Sequence, residues 1–300
     1  MKNTKRIEKA FAKINLGLKV TGKRQDGFHD ICSLMQTVNL SDALSFSPAQ
    51  STSVICSDPL VPCDEQNLIE KAIDLFYENV DVQRKDYTVV LEKSIPIGAG
   101  LGGGSADAAA TLRFLNRAHG NPFDFGGLKG LAMKLGSDIP FLVEGGTAVV
   151  RGRGEKMNTI FWPHKVYYAL VYPNVSISTA WAYSQIGSDL TENHPYVNIM
   201  SSLSGGCIDL WDLLKVLEND FLPIVENAYP IVATIRSRLE SAGALMSSLS
   251  GSGSTIYGLF DDRNAALKAC YELRERGCRS FFCQPVSRGS GNDNKETQAA

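Results

Sequence analysis

Pro96-Ile97-Gly98-Ala99-Gly100-Leu101-Gly102-Gly103-Gly104-Ser105-Ala106 is the stretch on which the reading of this chain turns. Five of the seven residues 98–104 are glycine. They leave the backbone uncovered, so successive N–H groups can approach an anion closely. The run leads into an alanine-rich segment, 105–117, that predicts a helix. The first turn of such a helix has unpaired N–H donors and a partial positive charge. Ser105 fits the N-cap, with its hydroxyl free to reach a phosphate or its metal. Ala106, Ala108, Ala109 and Ala110 keep the helix slim for close packing.

Three other readings compete for this loop. Gly98-x-Gly100-x-x-Gly103 satisfies the dinucleotide-binding spacing, but that fold needs a second strand ending in an acid about 20 residues on. Here that distance lands in His119-Gly120-Asn121-Pro122, a turn, which excludes it. The P-loop needs Gly-Lys-Ser/Thr at its end, and the stretch has none. A flexible linker does not suit an apolar Pro96-Ile97 lead-in and a strong helix behind.

Upstream, residues 11–20 alternate, with Ile14, Leu16, Leu18 and Val20 on one side and Lys13, Asn15 and Lys19 on the other. This predicts a strand with one buried face, its other face presenting Lys13 and Asn15 together. Arg24-Gln25-Asp26-Gly27 reads as a turn. Helical spacing covers 67–79, a β-rich run covers 87–91, and a second helix runs over 128–135 to a stop at Gly136. Beyond Pro163 the predicted order is strand 166–172, helical stretches 209–218 and 231–241, strands 244–249 and 255–260, helix 264–276 and strand 280–286. With the two helical stretches merged this is β-α-β-β-α-β, the split ferredoxin-like pattern. The expectation is an α+β chain of two domains, 1–163 and 164–288, with 289–300 a disordered tail. Three hundred residues fit two domains sharing a cleft.

Composition narrows the function classes. The hydrophobic share of 44% and charged share of 21% are ordinary for a globular protein. A net charge of −2 and a pI near 6.1 argue against a dedicated nucleic-acid or membrane binder. Seven cysteines without a Cys-x-x-Cys pair read as free thiols in a reducing compartment. No apolar run of signal-peptide or membrane-spanning length occurs. The cytoplasm is therefore expected, or the plastid stroma after loss of a transit peptide. His119, His164 and His194 lack metal-site company.

Outside the loop, Asp138 in Gly136-Ser137-Asp138-Ile139-Pro140 is either a turn residue or a catalytic carboxylate. Lys13 is either a solvated strand lysine or the charge partner of that carboxylate. Leu249-Ser250-Gly251-Ser252-Gly253-Ser254 is either a serine-rich hairpin or a second backbone cradle facing the first across the cleft.

Three blocks together resemble the GHMP kinases: 96–109, 249–255 and the strand Ala12-Lys13-Ile14-Asn15-Leu16. Within them the chain is similar to the family that phosphorylates a cytidine-diphosphate-linked methylerythritol. The carriers are Gly22-Lys23-Arg24, Asp26-Gly27-Phe28-His29, Asn67-Leu68-Ile69 and Leu135-Gly136-Ser137-Asp138-Ile139-Pro140-Phe141. The resemblance implies an N-terminal domain like ribosomal protein S5 domain 2 and a ferredoxin-like C-terminal domain. It implies Lys13 and Asp138 as catalytic, with Asp138 taking the proton of the substrate's C2 hydroxyl. It further implies Pro96 to Ala106 as the ATP loop, with Asn67 and Lys93 near the nucleotide. Asn15 would bind methylerythritol, Phe28 and Tyr183 would sandwich cytosine, and His29 would bond its edge. Gly251 and Gly253 are expected on the substrate side, and Mg²⁺ would accompany ATP with Ser105 as ligand. Two departures from the pattern are Phe28 where tyrosine is common, and Ser178-Thr179-Ala180 before Tyr183. A homoserine- or mevalonate-type kinase and a nonenzymatic nucleotide sensor remain as alternatives. Monomer and homodimer both stay open.

Overall fold

The alternation at 11–20 belongs to a longer strand, β1 (Arg6–Lys23), which the Arg24–Gly27 turn folds back into β2 (His29–Ala49). The computed structural model describes residues 6–187, 190–203 and 206–289. In the turn, Arg24 N–H donates to the Phe28 carbonyl at 2.8 Å and Gly27 takes φ +84°. The sequence suggested one buried face for β1, but both are buried, because Lys13 and Asn15 sit at 4% and 1% exposure in the floor of a cleft.

After β2 come β3 (Ser53–Cys56), α1 (Leu68–Glu78), β4 (Asp86–Glu92), α2 (Gly103–Ala118), α3 (Phe125–Leu135), α4 (Ile139–Glu144), β5 (Thr147–Gly152) and β6 (Lys156–Thr159). The first sheet runs β3-β4-β2-β5-β6, with β1 also paired to β2. β2 holds β1 along one edge; along the other it meets β5 at 31–36 and β4 at 43–49. Its remaining stretch is filled by the chain end. Val286 N–H donates to the Thr37 carbonyl at 2.9 Å, and Asn39 N–H to the Gln284 carbonyl at 3.0 Å.

The second sheet is built from β7 (Tyr167–Tyr172), β8 (Met246–Leu249), β9 (Ile256–Phe260) and β10 (Arg279–Cys283). Its order, β10-β7-β9-β8 with every neighbour antiparallel, is the split βαβ arrangement that the sequence predicts. Between β7 and β8 lie α5 (Thr179–Ser184), α6 (Pro195–Ser202), α7 (Leu210–Leu214), α8 (Phe221–Ala228) and α9 (Pro230–Ser241); α10 (Arg263–Glu275) follows β9. The helix expected over 209–218 ends early, because tertiary pairing claims the backbone: Leu18 N–H donates to the Glu218 carbonyl and Asp220 N–H to the Leu18 carbonyl. The last strand stops at Cys283 instead of 286, since Pro285 has no N–H for a ladder and the chain crosses to β2. Residues 290–300 of the expected tail lie outside the described residues, while Gly289 N–H donates to the Glu144 carbonyl.

The larger apolar core lies between the first sheet and α1–α4, and continues through Tyr168, Leu170, Tyr257 and Leu259 of the second sheet. Phe114 of α2 stacks on Phe46 of β2 at 3.9 Å. The alanine face of α2, with Ala108, Ala109 and Ala110 fully buried, lets that helix press close to its neighbours. A smaller core packs α8, α9 and α10 on the second sheet together with Leu18 and Val20 of β1. β1 thus serves both cores, and its middle lies where the two halves meet.

Candidate active site

A cleft of about 1480 Å³ opens at that meeting place. Its walls include Pro96, Ile97, Gly98, Ala99, Gly100, Gly102, Gly103, Gly104 and Ser105 of the glycine loop. Leu101 and Ala106 turn away into the core, and the Leu101 carbonyl accepts the Lys13 N–H at 3.0 Å. The helix begins two residues earlier than expected. Gly102, in the left-handed region at φ +70°, is the N-cap, and no side chain caps the helix end. The N-cap assignment to Ser105 is therefore corrected: glycine alone takes that backbone shape without strain, so the first-turn N–H groups are left free of capping side chains. Ser105 lies within the first turn, half-buried on the cleft wall.

The structure brings Lys13, Asn15 and Asp138 together on the cleft floor. Lys13 Nζ donates to Asn15 Oδ1 at 2.8 Å and lies 3.4 Å from Asp138 Oδ2. Asn15 is fixed in turn, its Nδ2 donating to Ser33 Oγ at 2.8 Å. Asp138 precedes α4 without capping it, so its carboxylate, one-third exposed, stays available to the cleft. A buried ammonium, an amide and a partly solvated carboxylate can hold a hydroxyl, take its proton and balance developing phosphoryl charge.

The serine-glycine loop does not face the glycine loop across the cleft; the two touch. Ser250 Oγ accepts the Asn15 N–H at 3.2 Å and donates to the Gly100 carbonyl at 3.0 Å, and Thr255 N–H donates to the Ala99 carbonyl at 3.2 Å. A Cβ on Gly100 would stand 2.4 Å from the Ser250 carbonyl oxygen. Gly251 and Ser252 line the cleft, but Gly253 packs on Leu249 and Ile177 and is not among its walls. The backbone of this loop is held by Asn219, whose Nδ2 donates to the Leu249 and Gly251 carbonyls at 2.8 and 2.9 Å.

Phe28, His29 and Tyr183 gather at the other end. Tyr183 stacks on His29, with centroids 5.0 Å apart. Phe28 is 52% exposed and carries the Arg153 guanidinium 3.6 Å from its ring centre. Arg153, which the sequence did not single out, also lies 3.6 Å from Asp26. Burial, and then the Lys23 charge, hold the His29 imidazole below its ordinary value. Burial, with help from the Asp138 charge, pushes the Tyr183 phenol up to about 12.

Asn67 and Lys93 line the cleft with their polar ends already engaged. Asn67 caps α1 by accepting the Ile69 N–H at 2.8 Å and donates to the Pro62 carbonyl at 2.6 Å. Lys93 lies under the loop between Asp42 and Asp107. Burial pushes the Asp107 carboxyl up to about 7, against the pull of the Lys93 ammonium. Among the described residues no group of three His, Cys, Asp or Glu comes together to hold a metal ion. None of the described helices is long and apolar enough to cross a membrane.

Comparison with known proteins accords with this geometry. Residues 67–146 match the GHMP kinases N terminal domain, and 203–277 match the GHMP kinases C terminal domain. The 4-diphosphocytidyl-2-C-methyl-D-erythritol kinase of Thermoanaerobacter pseudethanolicus is 37% identical over 94% of this chain and 96% of its own. That of Chlorobium limicola is 36% identical over 92% of this chain and 96% of its own. A solved 4-(cytidine 5'-diphospho)-2C-methyl-D-erythritol kinase superposes with TM-score 0.76 at 28% identity, covering 94% of this chain and all of that one. A homoserine kinase from Cytophaga hutchinsonii, at TM-score 0.70 and 21% identity, shares the fold. The chain is an enzyme of the GHMP kinases and belongs to their 4-diphosphocytidyl-2-C-methyl-D-erythritol kinase family.

Proposed function

We propose that this kinase transfers the γ-phosphoryl group of ATP to the 2-hydroxyl of 4-diphosphocytidyl-2-C-methyl-D-erythritol, giving the 2-phosphate and ADP in non-mevalonate isoprenoid precursor synthesis. The observation that carries the reading is the Lys13–Asp138 pair, 3.4 Å apart, beside a glycine loop whose helix end has no capping side chain. The loop N–H groups receive the triphosphate. Asp138 accepts the hydroxyl proton as the oxygen attacks phosphorus, and the Lys13 ammonium balances the charge spreading over the transferring group. Asn15, locked between Lys13 and Ser33, orients the methylerythritol hydroxyls. Phe28 and Tyr183 offer ring faces to the cytosine and neutral His29 a polar edge contact, so stacking supplies affinity and the edge supplies specificity. Arg153, stacked on Phe28, adds a positive charge on the cytidyl side.

Mg²⁺ would be held mainly by the phosphate oxygens of ATP, with the Ser105 hydroxyl on the cleft wall as its protein ligand, and would neutralise phosphate charge. We read the enzyme as cytoplasmic, with its domains divided near 163/164, acting on small molecules without nucleic-acid or membrane partners. The test is incubation with ATP, Mg²⁺ and the cytidylated substrate while following ADP release. Turnover that depends on this substrate and is inhibited by CDP is expected. ADP release no faster than in its absence would reject the proposal.

A further inference from the structure

Beneath the glycine loop lies a buried charge cluster that the transfer step does not use. Lys93 follows β4 directly and donates its ammonium to Asp42 Oδ2 at 2.5 Å and to Asp107 Oδ2 at 2.9 Å. The other oxygen of Asp42, in β2, accepts the backbone N–H groups of Ser94 and Ile95 at 2.6 and 2.8 Å. All three side chains are buried, at 6% exposure for Lys93, 0% for Asp42 and 5% for Asp107. Asp42 thereby grips the two residues just before Pro96, while Asp107 belongs to α2, just after Ser105. The cluster ties the segment leading into the loop to the helix leading out of it. Gly103 rests directly on it, since a Cβ there would stand 3.2 Å from Lys93 Nζ.

Two physical points limit what such a cluster can be for. A buried ion pair gains little net stability over apolar packing, because desolvating the charges offsets their attraction. Attraction of ATP is no better an explanation. Two carboxyl groups surround one ammonium and leave no cationic surplus under a loop that must receive a polyanion. What the arrangement supplies is geometry: two strands, a helix and the start of the loop are fastened at one point. A loop whose N–H groups must converge on phosphates gains from being held in that shape beforehand.

We propose that Asp42, Lys93 and Asp107 are positioning residues, a buried brace holding the nucleotide-free glycine loop in its ATP-receiving shape. This rests on reading residues 96–105 as the ATP site.

The test compares the full-length protein with Lys93→Met, Asp42→Asn and the double variant. Amide hydrogen exchange is followed over 94–106 without nucleotide, and calorimetry gives the ATP and CDP affinities. The brace predicts exchange in that segment faster by about tenfold or more, with α10, which packs on the second sheet away from the loop, unchanged. ATP affinity falls by about tenfold or more while CDP affinity stays within about twofold, and the double variant is no weaker than Lys93→Met alone, because both changes break one unit. Should Lys93→Met fail to fold, the near-isosteric Asp107→Asn must still speed exchange over 94–106. Wild-type exchange there in the folded variants, or losses in ATP affinity that simply add, would overturn the brace. That readout contains no nucleotide, so it is separate from the loop assignment; a wild-type protein that binds no ATP would instead overturn the loop's role.

Discussion

Gly100→Ala tests how finely the glycine loop is placed. Gly100 has φ +79°, where an alanine costs about 1–2 kcal/mol in backbone strain. The larger effect is steric. The new Cβ would lie 2.4 Å from the Ser250 carbonyl oxygen and 2.8 Å from that of Gly253, against about 3.4 Å for ordinary contact. Both neighbours are backbone, so no flexible side chain can yield, and one loop must move by about 1 Å. A misplacement of that size at a reacting group costs about 10²-fold in rate. Gly120→Ala is the control. Its φ is +76° and nothing lies within 4 Å of the added carbon, so it has the same backbone strain without the displacement. Steady-state ADP release should therefore give kcat/KM for ATP lowered about 10²-fold in Gly100→Ala and within about twofold of wild type in Gly120→Ala. Equal kcat/KM in the two variants would refute the idea that loop-to-loop contact sets the phosphate position.

Two further outcomes follow from the site and the core. Burial, and then the Lys23 charge, lower the His29 pKa and favour the neutral imidazole, so CDP affinity should be flat at neutral pH and above and fall in acid as the ring gains a proton. A CDP titration across pH 5–8 should show that fall in wild type and not in His29→Asn; the same slope in both would place the titrating group elsewhere. Phe114→Ala removes a ring stacked on Phe46 and edge-on to Tyr87, and should cost about 3–5 kcal/mol in urea unfolding with KM values unchanged in the surviving folded fraction.

Much of this was legible in the sequence, for identifiable reasons. The glycine loop announces itself because only bare backbone suits its task, and the alternation of β1 places Lys13 and Asn15 together without any tertiary knowledge. The ferredoxin-like order survives because its strands are short, apolar and well punctuated. What stayed hidden depends on contacts distant in sequence. β2 carries Ser33, Gln36 and Thr37 in its interior, and these polar residues break the apolar period. They are buried because they have partners: Gln36 donates to Thr147 Oγ1 at 2.8 Å and accepts from the Tyr168 hydroxyl. α4 is masked by Pro140, which reads as a breaker although it occupies the first turn, where its missing N–H is harmless. Arg153 and Asn219 carry no local signal, since each matters through a neighbour far along the chain. Lys93 is the instructive case. Its place beside the loop is readable, but its commitment to two acids, 51 and 14 residues away, is not.

The catalytic assignment is tested most directly by Asp138→Asn, an isosteric change that leaves the fold's contacts in place and removes the carboxylate facing Lys13. Turnover with the cytidylated substrate should fall by about 10²–10⁴-fold while ATP affinity, measured separately by calorimetry, stays within about threefold. Turnover close to wild type in that variant would mean that no carboxylate takes the hydroxyl proton, and would contradict the mechanism.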